Sequence, residues 1–195
     1  MTDAQKEKEK YTKVWDHDEY RNSPSPGGFI TQRLPVIEWL KEEGVVSILD
    51  AGCGEGKFMR SVLRSTKEFS LHGMDITDNS IDPKFVAAGM FTQGCLWNMD
   101  DYKTKHDSIV CVDVLEHIPK KYVASVFKSF YNASNKCIML SICLVDDVLG
   151  EKLLGEKLHL TVETYEWWLE QVKAAGFKVK YAFITPMVLD VFAIK

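Results

Sequence analysis

The stretch Ile48-Leu49-Asp50-Ala51-Gly52-Cys53-Gly54-Glu55-Gly56 constrains this chain more than any other. The short apolar run before it, Val45 to Leu49, has the pattern of a strand buried on both faces. It ends on an acidic residue and runs into three glycines within five residues. Glycine takes positive φ without a Cβ clash and lets a ligand approach the backbone closely. The residues that follow, Lys57 to Ser65, read as a helix with Phe58, Val62 and Leu63 turned inward. A strand, a glycine turn and a helix in that order open a parallel α/β sheet. In such sheets ligands lie beyond the carboxyl ends of the strands.

The rest of the chain repeats the alternation. Phe69 to Met74 reads as a strand ending at Asp75, Asp82 to Gly89 as a short helix, and Met90 to Leu96 as a weak strand. Ser108 to Val112 is a strong strand, Pro119 to Tyr131 a helix, and Lys136 to Leu144 another strand. Val145 to Leu160 is a long connection. A helix then opens at Thr161 or Thr164 and runs to Ala175, where Gly176 ends it. Phe177 to Ile184 and Met187 to Ile194 are strands separated only by Thr185-Pro186, so they pair as an antiparallel hairpin at or beside the sheet edge. The expected fold is α/β: seven strands, mostly parallel, with helices on both faces.

Residues 1–28 stand apart from this pattern as an extension, and 29–195 form the single domain. The extension is polar and helical in its first half, with Tyr11, Trp15, Tyr20 and Arg21 set among charges. It ends in the Ser23-Pro24-Ser25-Pro26-Gly27-Gly28 hinge. It reads as a lid that excludes water from a ligand, with aromatic rings that can flank a cation. The plainer alternative is a solvated helix packed on the surface. Lys6–Lys10 and Lys120-Lys121 read as solvated faces. Of the adjacent pair Trp167-Trp168, both are expected in the core.

Composition narrows the partners. The net charge of −4 makes nucleic acid an unlikely ligand, because phosphates call for a basic face. The five cysteines include no Cys-x-x-Cys pair and read as free, buried thiols of a reducing, cytoplasmic setting. The first ten residues are too polar for a signal peptide. No apolar run approaches the roughly 20 residues that span a bilayer. Nothing in the sequence sets the oligomeric state.

The turn itself separates ligand classes. Dinucleotide sites use Gly-x-Gly-x-x-Gly. Here the spacing is Gly-x-Gly-x-Gly, Lys57 replaces the last glycine of the dinucleotide pattern, and Asp50 and Glu55 would repel a pyrophosphate. A ligand with a sulfonium and an ammonium tolerates that acidity. Asp75, at the end of the second strand, can accept both hydroxyls of a ribose.

Leu49 to Gly56, together with Asp113-Val114-Leu115-Glu116-His117-Ile118, resembles the class I S-adenosylmethionine-dependent methyltransferases. The branch suggested includes the ubiquinone-biosynthesis O-methyltransferases and small-metabolite methyltransferases. The likeness covers roughly residues 30 to 195 and implies a Rossmann-like sheet with S-adenosylmethionine as cofactor. It implies that Asp50 and the backbone of Gly52, Cys53, Gly54 and Gly56 hold the methionine end. Asp75, with Ile76 beside it, would hold the ribose, and the Val112 backbone would lie near the methionine amino group. Tyr11, Trp15 and Arg21 would close over the cofactor. Many members read the adenine amino group with a Gly-Asp pair after the third strand. This chain has Gly94-Cys95 there, which leaves Cys95 itself, Leu96 and Trp97, or Asp100 at the adenine.

Methyl transfer needs an aligned nucleophile and, for a hydroxyl, a base. His117 and His159 are the candidates, since an unperturbed imidazole titrates at about 6.5. Each could instead be structural, His117 at a helix start and His159 in a surface loop. Asp113, Glu116 and His117 have the i, i+3, i+4 spacing at which some ubiquinone-pathway relatives place a metal. One such triple without flanking ligands is weak, and no metal is expected. The expected activity is methylation of a small polar acceptor, at oxygen. The alternatives are methylation of RNA or protein, and a non-catalytic cofactor-binding subunit.

Overall fold

The computed structural model describes residues 1–23, 25–99 and 102–195. The strands are β1 (Ser47–Ala51), β2 (Ser70–Asp75), β3 (Phe91–Gln93), β4 (His106–Val112), β5 (Ser134–Cys143), β6 (Lys178–Ile184) and β7 (Val188–Ile194). They form a seven-stranded sheet in the order β3-β2-β1-β4-β5-β7-β6. β1 to β5 run parallel, and β7 is antiparallel to both β5 and β6.

Alternation along the central strands divides the apolar side chains between two faces. Leu49, Ile109, Cys111, Ile138 and Leu140 lie on one face, while Ile48, Val110, Val112 and Met139 lie on the other. The first face is covered by α7 (Lys120–Ala133), through Val126, Phe127 and Phe130, and by α9 (Tyr165–Ala174), through Trp168 and Val172. The second is covered by α4 (Val36–Glu42), through Trp39 and Leu40, and by α5 (Lys57–Ser65), through Phe58, Met59 and Val62. Shorter helices are α2 (Asp18–Arg21), α3 (Ile30–Arg33), α6 (Pro83–Ala87) and α8 (Leu149–Leu154).

α1 (Asp3–Asp16) starts with a reciprocal cap in which Thr2 and Gln5 bond each other's backbone N–H. α3 is tied to the sheet by a two-pronged ion pair. Arg33 Nη1 and Nη2 donate to the two carboxylate oxygens of Asp190 on β7, at 2.8 and 2.7 Å. The strand order turns back between β1 and β4, which opens a crevice at their carboxyl ends.

Several local expectations change. β3 is shorter than Met90–Leu96, because the Gly94 N–H donates to the Asp75 carbonyl and a turn from Cys95 to Asn98 takes the chain out of the sheet. The connection after β5 contains α8, whose first N–H groups, of Leu149 and Gly150, donate to the Asp147 carboxylate. Thr164, not Thr161, caps α9, while the Thr161 hydroxyl donates to the Ile118 carbonyl. Trp168 is buried, but Trp167 is only half-buried, with the Lys120 ammonium over its ring. Within Lys6–Lys10, Lys10 is no solvated residue: it is buried and paired with Glu7 at 2.6 Å. All five cysteines are free, with Cys53, Cys111 and Cys137 buried and Cys95 and Cys143 half-buried. Among the described residues no helix is long and apolar enough to cross a membrane.

Candidate functional site

The glycine turn leaves β1 and folds back on β2, where the Gly52 and Cys53 N–H groups both donate to the Met74 carbonyl. Gly52 and Gly54 have φ of +80° and +48°. A Cβ at Gly52 would sit 2.4 Å from the Val114 side chain, and one at Gly54 would sit 2.9 Å from the Trp15 ring. Both the loop after β4 and helix α1 therefore press directly on the turn.

Two carboxylates flank it. Asp75 accepts from the Gly54 N–H at 2.9 Å with one oxygen and from the Thr77 N–H at 3.1 Å with the other. Asp50 is buried, and its Oδ2 has no hydrogen-bond partner among the described residues. Burial first, then the nearby Asp75 charge, pushes its pKa up to about 8. Glu55, expected to add to this acidity, does not: its carboxylate pairs with Lys57 at 2.8 Å. The same ammonium also donates to the Arg21 carbonyl.

The crevice has two chambers, of about 630 and 890 Å³, that share Trp15, Tyr20, Gly52, Gly54, Asp113 and His117 as walls. The smaller holds Tyr11, Asp75, Ile76, Leu96 and Trp97, and the larger holds Asp50, Cys53, Val112 and His159. Gly56 lines neither; it begins α5 at φ +74°, packed against Phe85. Cys95 and Arg21 line neither chamber. Cys95 lies between the lining residues Gly94 and Leu96, and the Arg21 Nε–H donates to the Trp15 carbonyl. Asp100 lies outside the described residues.

The two histidines, 42 positions apart in sequence, come together with ring centroids 4.7 Å apart, edge to face. His159 Nδ1 lies 2.7 Å from the Val145 carbonyl. A carbonyl can only accept, so Nδ1 carries a proton, and the lone pair of the neutral ring falls on Nε2. His117 Nδ1 lies 3.1 Å from the Leu158 carbonyl and 2.7 Å from the Tyr11 hydroxyl. Burial first, then the electrostatic effect of the neighbouring His159 ring, holds His117 down at about 3, so its ring is neutral at physiological pH.

The i, i+3, i+4 triple does not converge. Glu116 is fully buried, and its Oε1 accepts from the Cys143 N–H at 2.8 Å. Burial first raises both Glu116 and Asp113, and the neighbouring Asp113 charge raises Glu116 further. His117 turns instead toward Tyr11. Among the described residues, Glu116, Cys143 and His159 form the group that could hold a metal, with ligand atoms within 4.8 Å of one another.

Sequence reasoning missed Glu7 and Asp147 as chamber walls. For Glu7 a signal existed. Glu7, Lys10, Tyr11 and Val14 repeat at i, i+3, i+4 and i+7, which is one face of a helix.

Residues 19–181 match the family model described as a methyltransferase domain. No curated protein matches the chain. A magnesium protoporphyrin IX methyltransferase from Synechocystis, solved with bound S-adenosylhomocysteine, superposes with a TM-score of 0.64. It is 16% identical and aligns over 98% of this chain and 95% of that one. A S-adenosylmethionine-dependent methyltransferase from Clostridium acetobutylicum gives a TM-score of 0.68 at 12% identity, over 95% of this chain and 98% of that one. An O-methyltransferase family protein from Burkholderia thailandensis gives 0.62 at 14% identity, over 93% of this chain and 61% of that one. At these identities the likeness is one of fold.

Proposed function

Because this chain belongs to the class I S-adenosylmethionine-dependent methyltransferases, we propose that it methylates an oxygen of a small polar acceptor held in the larger chamber. The residues of the crevice fit the cofactor. The unpartnered oxygen of buried Asp50 is an acceptor in need of a cation, which the methionine ammonium supplies. Asp75 is held rigid by two backbone N–H groups and has lone pairs left for ribose hydroxyls. S-adenosylmethionine supplies a methyl group on a sulfonium, open to in-line displacement by an acceptor oxygen.

The observation that carries this reading is the bond from His159 Nδ1 to the Val145 carbonyl. It puts the lone pair of the neutral ring on Nε2, and His159 lines the larger chamber, where that nitrogen would take the proton of an acceptor hydroxyl. The carboxylates of Asp113 and Asp147 are close enough to feel the charge on His159 and would stabilise the imidazolium that results. His117 stays neutral beside it and does not compete for that proton. Residues 1–28 act as the lid, since Trp15 and Tyr20 wall both chambers. A crevice covered in this way favours a small acceptor over a polymer.

The test is transfer of isotope-labelled methyl from S-adenosylmethionine to a panel of hydroxylated small molecules, with RNA and protein fractions alongside. Label is expected in the small molecules; label confined to RNA or protein would sink this reading. In the same assay His159→Ala should cut turnover about 100-fold or more, the scale of a lost general base, with cofactor affinity nearly unchanged. Full activity in that variant would remove His159 from proton transfer.

A further inference from the structure

We infer that Glu7, carried on α1, reads the exocyclic amino group of the cofactor's adenine. This rests on the reading of the crevice as the S-adenosylmethionine site. The smaller chamber contains Asp75, the ribose carboxylate, and its apolar walls Ile76, Leu96, Trp97 and Ile118 suit the faces of a purine. An adenine amino group is a donor and needs an acceptor on that wall. The carboxylates that line this chamber are those of Glu7, Asp75 and Asp113. Asp75 is committed to the turn and the ribose, Asp113 sits among Glu116 and His159, and the Tyr11 hydroxyl is bonded to His117.

Glu7 remains. Its carboxylate is held in place by Lys10 at 2.6 Å, and the two side chains are only 15% and 7% exposed. Drawing an ion pair this far out of water is costly unless its polar atoms are used. One oxygen engages Lys10; the other has lone pairs for a ligand. Glu7 also lies near Cys95, whose thiol is pushed up to about 11 by burial and, in smaller part, by the Glu7 charge. A thiol is a weak acceptor. A carboxylate brought from the start of the chain thus stands beside the position where Cys95 offers none.

The experiment compares S-adenosylhomocysteine with S-inosylhomocysteine, in which a 6-oxo group replaces the 6-amino group, by calorimetric titration. The wild-type protein should prefer the adenosyl compound by about 100-fold, because a carboxylate facing an oxo group leaves both unsatisfied. Glu7→Gln should narrow that preference about tenfold or more, since the amide N–H can meet the oxo group. The readout is a ratio within one protein, so a loss of folded material cancels. An unchanged ratio in Glu7→Gln overturns the role of Glu7 while leaving the cofactor site intact. Failure of the wild-type protein to bind either compound overturns the site itself, and this inference with it.

Discussion

Asp50 combines 4% exposure, an oxygen without a partner and the Asp75 charge nearby, and these lift its pKa from 3.8 to about 8. Between those values the unfolded chain has lost a proton that the folded chain keeps. The contribution of Asp50 to stability is therefore full below about pH 4 and is lost as pH rises through 8. Asp50→Asn should melt higher than wild type above pH 8 and much like it at pH 4. A bound ammonium reverses the preference by favouring the carboxylate. Cofactor binding at pH 7 should then release up to one proton, falling to none by about pH 9.5, and Asp50→Asn should release none. Titration in buffers of different ionisation enthalpy measures this; equal release from both proteins would rule out the Asp50–ammonium contact. Asp50 was legible in the sequence because strand, acid and glycines are contiguous. Glu7 and Lys10 left only their helical repeat with Tyr11 and Val14, because a charge on a helix looks the same in sequence whichever way it faces. The same limit hid the pairing of Glu55 with Lys57.

Elements follow the same division between local and distant causes. The central strands are legible because β4 is buried along its whole length and its second half, Ile109 to Val112, reads as an apolar run. α8 is six residues long, contains Gly150, and depends on the Asp147 carboxylate for its start, so no periodicity announces it. The attachment of α3 is equally hidden, since Arg33 meets Asp190 across 157 positions. Asp190 is 1% exposed, so Arg33→Ala would leave a buried carboxylate without its counter-charge. Removing one partner of a buried pair costs about 3–5 kcal/mol. The Arg33 side chain is 34% exposed, which lowers the expectation to roughly 2–4 kcal/mol. Asp190→Asn should cost less, because the guanidinium can turn to water. Urea denaturation measures both; a cost below about 0.5 kcal/mol for Arg33→Ala, the range of an ordinary surface substitution, would show that the fork holds nothing.

The whole molecule is a sheet with two apolar layers, and neither layer draws on a residue before Ile30. The first 22 residues pack elsewhere: Trp15 over Gly54, Tyr11 on His117, and Glu7, Trp15 and Tyr20 along the chamber walls. Besides the site they touch α7 and the segment after β2, through Asp3 with Lys121 and Tyr122 and the Thr12 carbonyl with Asn79, but they enter neither apolar layer. Stability and ligand affinity should therefore separate when they are removed. A chain lacking residues 1–22 should keep its far-ultraviolet spectrum and a cooperative melt, with a lower midpoint from the loss of buried Val14 and Lys10. Its affinity for S-adenosylhomocysteine should fall about tenfold or more, because one wall of both chambers is gone. If affinity holds while the melt collapses, the segment is structural cladding and the lid assignment fails. If affinity falls while the melt holds, the closure of the crevice is a function of the N-terminal helix alone, and the sheet supplies only the floor on which the cofactor rests.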